Sequence, residues 1–227
     1  MNRFTWKCLL GVALSCVYVD FAVGDAITPD LSRINDGKVW NVINAECRTA
    51  REDGECVVRM RPKPGATTPS NVGLAVVDGL DFSEGTIEID LKGKGKFERT
   101  FLGLGFHVVN GKAFEAVYFR PFNFGKEDKT FRSRAVQYVA WPENTWEKLR
   151  RDTPGVYESA INPVPDPKGW FHARVEITKQ KVSVYVDQGK EPCLVIDRLA
   201  NRDKGKVALW VDSNEGAFKN LKIVPAM

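Results

Sequence analysis

Strict alternation of apolar and polar residues over short spans does most to restrict what this chain can become. Thr86-Ile87-Glu88-Ile89-Asp90-Leu91 puts Ile87, Ile89 and Leu91 on one side and Glu88 and Asp90 on the other. Phe171-His172-Ala173-Arg174-Val175-Glu176-Ile177 and Val182-Ser183-Val184-Tyr185-Val186-Asp187 do the same. A period of two over six or more residues marks a strand with one face in a core and one in water. Further strands are expected at 56–60, 72–77, 101–108, 114–119, 135–140, 193–199, 206–211 and 217–223. Asp78-Gly79, Asn110-Gly111, Gln188-Gly189, Lys204-Gly205 and Glu215-Gly216 supply the turns between them. One helix is expected over 144–152, with Trp146 and Leu149 on its inner side and Pro154-Gly155 as its stop. Ten to twelve short strands and almost no helix imply an all-β chain folded as two packed antiparallel sheets, a β-sandwich or jelly roll.

The 227 residues suit a single domain, and 43% hydrophobic with 27% charged residues excludes a disordered chain. Lys and Arg number 33 against 29 Asp and Glu, and the charges are interleaved, which gives no basis for a nucleic-acid partner. The run Lys92-Gly93-Lys94-Gly95-Lys96 reads as a solvated hairpin tip. The two histidines, His107 and His172, leave little room for a zinc site and read as surface or satisfied residues.

Residues 1–24 have the layout of a secretory signal peptide: Arg3 and Lys7, an apolar run from Cys8 to Val19, then Ala22-Val23-Gly24 before a cut at Asp25. The alternative is a lipoprotein box at Ala13-Leu14-Ser15-Cys16, with Cys16 lipidated. The apolar run is too short to span a bilayer, so the expected location is periplasmic or extracellular, with residues 25–227 as one domain. Cys47, Cys56 and Cys193 lie in that domain. Cys47 and Cys56 flank a turn at Asp53-Gly54 and are expected to form a disulfide, with Cys193 a buried free thiol.

Several segments carry a family likeness. Phe82-Ser83-Glu84-Gly85-Thr86-Ile87-Glu88, Phe101-Leu102-Gly103-Leu104-Gly105-Phe106 and Tyr118-Phe119-Arg120-Pro121 form one group. Gly169-Trp170-Phe171-His172, Gly205-Lys206-Val207-Ala208-Leu209-Trp210 and Phe218-Lys219-Asn220-Leu221-Lys222-Ile223 form another. Their order resembles the concanavalin A-like lectin/glucanase superfamily in its laminin-G-like jelly-roll form, over residues 35–225. Within it the chain resembles exported bacterial proteins near the 3-keto-disaccharide hydrolases and family-16 glycoside hydrolases. That resemblance implies a carbohydrate partner, and one fold hosts many functions.

Family-16 hydrolysis would need three alternating carboxylates, and Glu88-Ile89-Asp90-Leu91-Lys92 offers two, so this stretch reads as a solvated strand face. No nucleophile elbow, zinc-protease helix, phosphate loop or dinucleotide fingerprint occurs. The segment after residue 117 is richer. If Val117 and Phe119 point into the sandwich, Tyr118 and Arg120 project outward, with Gln137 near Arg120 on the next strand. Asn123, Trp141, Arg150 and Tyr157 follow close by. Aromatic faces against sugar C–H surfaces and planar polar groups against hydroxyls are the two ingredients of saccharide recognition. Tyr118, Arg120, Asn123, Gln137, Trp141, Arg150 and Tyr157 are therefore the candidate binding residues, with Arg120 expected in an exposed groove.

No cofactor is expected. A structural calcium ion would draw on Asp212, Asn214 and Glu215, with Asp187 and Asp203 as further oxygens, but one short turn cannot supply six to eight ligands. The expected function is a carbohydrate-binding domain that holds a saccharide on the concave sheet face; a glycoside-cleaving enzyme with unassigned catalytic residues is the alternative, and a structural or adhesion module the third option.

Overall fold

The computed structural model describes residues 24–65, 72–95 and 98–227. The apolar leader and Cys16 lie outside the described residues. Fourteen strands follow in chain order: β1 (Trp40–Ile43), β2 (Ala45–Glu52), β3 (Glu55–Pro62), β4 (Gly73–Val77), β5 (Gly85–Lys92), β6 (Phe101–Asn110) and β7 (Ala113–Phe119). After them come β8 (Val136–Trp141), β9 (Glu158–Ser159), β10 (Phe171–Ile177), β11 (Lys181–Val186), β12 (Leu194–Asp197), β13 (Lys206–Asp212) and β14 (Gly216–Pro225). Helices α1 (Lys129–Arg132) and α2 (Trp146–Asp152) lie on either side of β8 in sequence.

The strands form two seven-stranded antiparallel sheets. One has the order β1-β4-β13-β6-β7-β8-β9, the other β12-β11-β10-β5-β14-β3-β2. Between them lies the main core, with Ile87, Ile89 and Leu91 from β5 facing Val117 and Phe119 from β7. The architecture is the expected two-sheet sandwich.

The two outer faces differ, and that difference positions the site. On the second sheet, β5 and β10 alternate buried and half-buried residues, because their other face meets water. On the first sheet, β4, β8 and most of β7 and β13 are buried on both faces. Their outer side carries a second apolar cluster that includes Leu74, Tyr118, Trp141, Leu149 and Trp210. Leu149 comes from α2, whose Thr145 cap accepts from the Lys148 amide at 3.4 Å.

A buried polar cluster ties β6, β7, β8 and the segment after β12 together. His107 Nδ1 lies 2.9 Å from Glu115, Arg198 Nη2 donates to Glu115 at 2.7 Å, and the Tyr138 hydroxyl donates to Glu115 at 2.5 Å. Burial pushes the Glu115 carboxyl upward, and the hydrogen bonds from His107, Arg198 and Tyr138 outweigh it and hold it below the ordinary value. His107 sits at a register shift of β6 with φ of +46°. A Cβ on Gly205 would fall 2.6 Å from the His107 carbonyl carbon, so only glycine lets the chain pass there.

The expected Cys47–Cys56 disulfide is not formed; both cysteines are free. The β2–β3 hairpin turns at Asp53-Gly54, both with positive φ, which sets Cys47 opposite Met60 and Cys56 opposite Arg51. Four ladder positions at about 3.4 Å each separate the two, roughly twice the Cα span a disulfide tolerates. Burial pushes the Cys193 thiol up to about 12, in keeping with an inert packed side chain.

Candidate functional site

Alternation in β7 places Tyr118 on the outer face of the first sheet, and the β7–β8 ladder sets it directly opposite Gln137. The Tyr118 hydroxyl donates to Gln137 Oε1 at 3.0 Å. Arg120 Nη2 donates to the Tyr118 hydroxyl at 2.8 Å and also to Gln137 Oε1, while its Nη1 donates to the Arg134 carbonyl at 2.9 Å. Tyr118, Arg120 and Gln137 thus meet as expected. Arg120 is not the exposed groove residue that alternation implies, since it is only 5% exposed. It caps the strand end, and a guanidinium there can be buried because its Nη1 and Nη2 find acceptors and the rings of Phe101 and Tyr118 lie against it. Burial pushes the Tyr118 hydroxyl up to about 12, so it stays protonated and can donate to Gln137.

Behind Arg120 sits Glu158, 7% exposed at its side chain, with Arg150 Nη2 at 2.5 Å, Arg134 Nε at 3.6 Å and Arg120 Nη1 at 3.9 Å. One carboxylate therefore answers three guanidiniums, which leaves this end of the sheet positive.

In front of this network lies a cavity of about 480 Å³. The Tyr118 ring stacks on Trp210 in its lining, centroids 4.6 Å apart and 19° between planes. Trp210 is 3% exposed, and its indole Nε1 has no hydrogen-bond acceptor among the described residues. Trp141, Trp146 and Arg150 form the α2 side, with the Arg150 guanidinium 4.9 Å above the Trp146 ring. Arg99, Asp212, Ser213 and Asn214 form the opposite rim. Burial raises the Asp212 carboxyl above its ordinary value, against hydrogen bonds from Ser213 that lower it and with a smaller upward push from the charge of Glu147 on the same cavity.

Of the seven expected residues, Tyr118, Arg120, Trp141 and Arg150 line the cavity and Gln137 stands behind them. Asn123 and Tyr157 do not contribute. Asn123 is buried and donates to the Arg134 carbonyl at 3.2 Å, and Tyr157 packs on the Tyr138 ring at 6.1 Å. Arg99, Phe101 and Trp210 are site residues that the sequence does not single out; Asp212 and Asn214 are expected from it only as oxygen donors to a metal. Among the described residues no three His, Cys, Asp or Glu side chains converge as a metal site, and Glu215 is held by Arg48 and Arg59. Glu88 and Asp90 stand on the outer face of the second sheet beside His172.

No protein-family model and no curated protein matches the chain. Solved structures do. The carbohydrate-binding module CBM66 from Bacillus subtilis superposes with a TM-score of 0.55 at 13% identity, over 82% of this chain and 95% of that one. A Bacillus subtilis protein described as galectin-like in fold gives 0.56 at 11%, over 91% and 98%. The chain has the concanavalin A-like jelly-roll fold. A Bacteroides ovatus mixed-linkage glucan GH16 protein in complex with product shares it, with a TM-score of 0.53 at 9% identity, over 83% of this chain and 95% of that one.

Proposed function

We propose that the cavity beneath α2 binds a saccharide and that the protein is an exported carbohydrate-binding domain. The observation that carries this reading is a cavity walled by the half-exposed Trp146 indole and by Trp141 and set among the polar side chains of Asp212, Asn214 and Arg150. A sugar ring offers a C–H face for an aromatic wall and hydroxyl oxygens for an N–H donor. The fold's occurrence in a carbohydrate-binding module supports it. The test is a saccharide panel titrated against wild-type protein and Trp146→Ala, whose indole is 40% exposed on the cavity wall. Binding that weakens about tenfold in the variant, with melting unchanged, is expected; no saccharide binding at all would overturn the reading.

One observation favours a hydrolytic variant of this function. Burial shifts the Asp212 carboxyl upward, the direction a glycosidic acid requires, and Glu147 lines the same cavity as a second carboxylate. Release of reducing ends by wild type, abolished in Asp212→Asn, would establish it. Export itself is tested by the mass of the mature N-terminus, expected near Asp25; an acylated Cys16 would place the protein on a membrane surface instead. Among the described residues no helix is long and apolar enough to cross a membrane.

A further inference from the structure

The cavity does not end at Asp212. A second cavity of about 490 Å³ shares Asp212, Ser213 and Asn214 with the first, so the turn after β13 is a common wall between the two. The second is lined by Arg48, Arg61, Lys63 and Lys94, with Asp212 and Glu215 as its acids. The first holds Arg99, Arg120 and Arg150 against Glu147 and Asp212. Cations therefore exceed acids in both halves, whereas the whole chain carries a net charge of only +4.

Part of that charge is already committed. Arg48 pairs with Glu215 at 2.5 Å, Arg61 with Glu46 at 2.6 Å and Arg150 with Glu158 at 2.5 Å. Arg99 and Lys63 are different. The Arg99 guanidinium rests over the rings of Phe101 and Phe122, at 5.8 and 5.6 Å, and among the described residues neither it nor Lys63 has a carboxylate partner. The aromatic rests hold the Arg99 fork in place at little entropic cost while leaving its N–H edges available. Among the described residues Lys94 pairs with the exposed Glu98, at 3.4 Å.

We propose that the two cavities form one cleft for an anionic polysaccharide, whose carboxylate or sulfate groups pair with Arg99, Lys63 and Lys94 while one of its rings lies in the Trp210 cavity. This rests on the saccharide reading and names its substrate class. A planar carboxylate or a sulfate matches the guanidinium fork, and each is present in acidic glycans at the spacing of one or two sugar units. A nucleic acid is the other polyanion with stacking faces. Asp212, Glu147 and Glu215 on the walls oppose its unbroken run of phosphates, whereas they can accept from the hydroxyls that separate acidic groups on a glycan.

The test is calorimetric titration of the protein with polygalacturonate, chondroitin sulfate, a neutral β-glucan and single-stranded DNA, at low and at physiological salt. The acidic glycans are expected to bind at least tenfold more tightly than the neutral one, with affinity falling as salt rises. Lys63→Ala combined with Lys94→Ala, both outside the Trp210 cavity, should remove about tenfold from the acidic glycans and leave melting and neutral-glycan affinity unchanged. Equal or tighter binding of the neutral glucan, unaffected by the double substitution, would overturn the anionic inference and leave the saccharide reading standing. DNA binding as tight as the acidic glycans would also overturn it, marking a general polyanion surface. If none of the three glycans binds, both readings fall together.

Discussion

Arg120 shows how burial changes the meaning of a residue. Its alternation position is outward, yet outward on this sheet means beneath a second apolar cluster rather than into water. Removing the guanidinium takes one donor each from Gln137 Oε1, the Tyr118 hydroxyl and the Arg134 carbonyl, opens a gap among buried polar groups and leaves Glu158 one cation fewer. Arg120→Ala is therefore expected to cost about 2–4 kcal/mol of stability, read as a shift in the urea midpoint. A change within 0.5 kcal/mol or so, the usual range for surface substitutions, would mean that the network is dispensable. His172 makes the opposite case, on the solvated sheet. Its Nδ1 lies 2.8 Å from Asp90 and its Nε2 lies 3.4 Å from Glu88. The hydrogen bond to Asp90, helped by both charges and opposed by partial burial, raises the imidazole above its ordinary value. A raised histidine gives stability that is full below its unfolded pKa of about 6.5 and is lost as pH climbs through the folded one. Stability should therefore decline across that range in wild type and less so in His172→Gln. An imidazole titration by nuclear magnetic resonance at or below about 6.5 would contradict the pairing.

The elements legible in sequence are those whose chemistry repeats locally. β5, β10 and β11 have one dry and one wet face, so period two stands out, and α2 lies within the span expected, between its Thr145 cap and Pro154-Gly155. The strands that leave no such signal, β1, β2 and β9, all lie at sheet edges. An edge strand pairs on one side only and buries less; β2, Ala-Glu-Cys-Arg-Thr-Ala-Arg-Glu, has no fully buried residue. The same limit applies to the site. Tyr118, Gln137 and Arg120 can be grouped because β7 and β8 are sequence neighbours paired antiparallel. Trp210 cannot, because it reaches Tyr118 only across Gly103 in the order β13-β6-β7, which joins segments about ninety residues apart; Arg99 is close in sequence but lies ahead of β6, outside any alternating strand pattern. Register also decides the cysteines. With Cys47 opposite Met60 and Cys56 opposite Arg51, denatured, unreduced protein should show Cys47, Cys56 and Cys193 all open to alkylation. A peptide linked through Cys47 and Cys56 would require a hairpin register other than this one.

At the scale of the whole molecule, the sandwich depends on its last strand. β14 does not lie at an edge: it fills the second sheet between β3 and β5, and so joins residues near the C-terminus to strands formed early in the chain. Its Ile223 amide and carbonyl also bond the backbone of Ile27, which ties in the segment ahead of β1. Until β14 arrives, β3 and β2 have no partner linking them to β5, β10, β11 and β12, so this sheet cannot close from local contacts. Such non-local pairing predicts slow folding, on the millisecond-to-second scale of all-β domains. Phe218 is the residue through which β14 enters the core; it is fully buried and pairs across the ladders with Leu91 and Val58. Phe218→Ala removes a ring that both sheets enclose, and the expected loss is about 3–5 kcal/mol of unfolding free energy. Val195→Ala provides the contrast, because Val195 is 49% exposed on β12, an edge strand of the same sheet, and its loss should stay within about 0.5 kcal/mol. Denaturant titration of both variants decides the matter. If the two cost the same, the second sheet is not held by β14, and the position of that strand between β3 and β5 has no mechanical consequence.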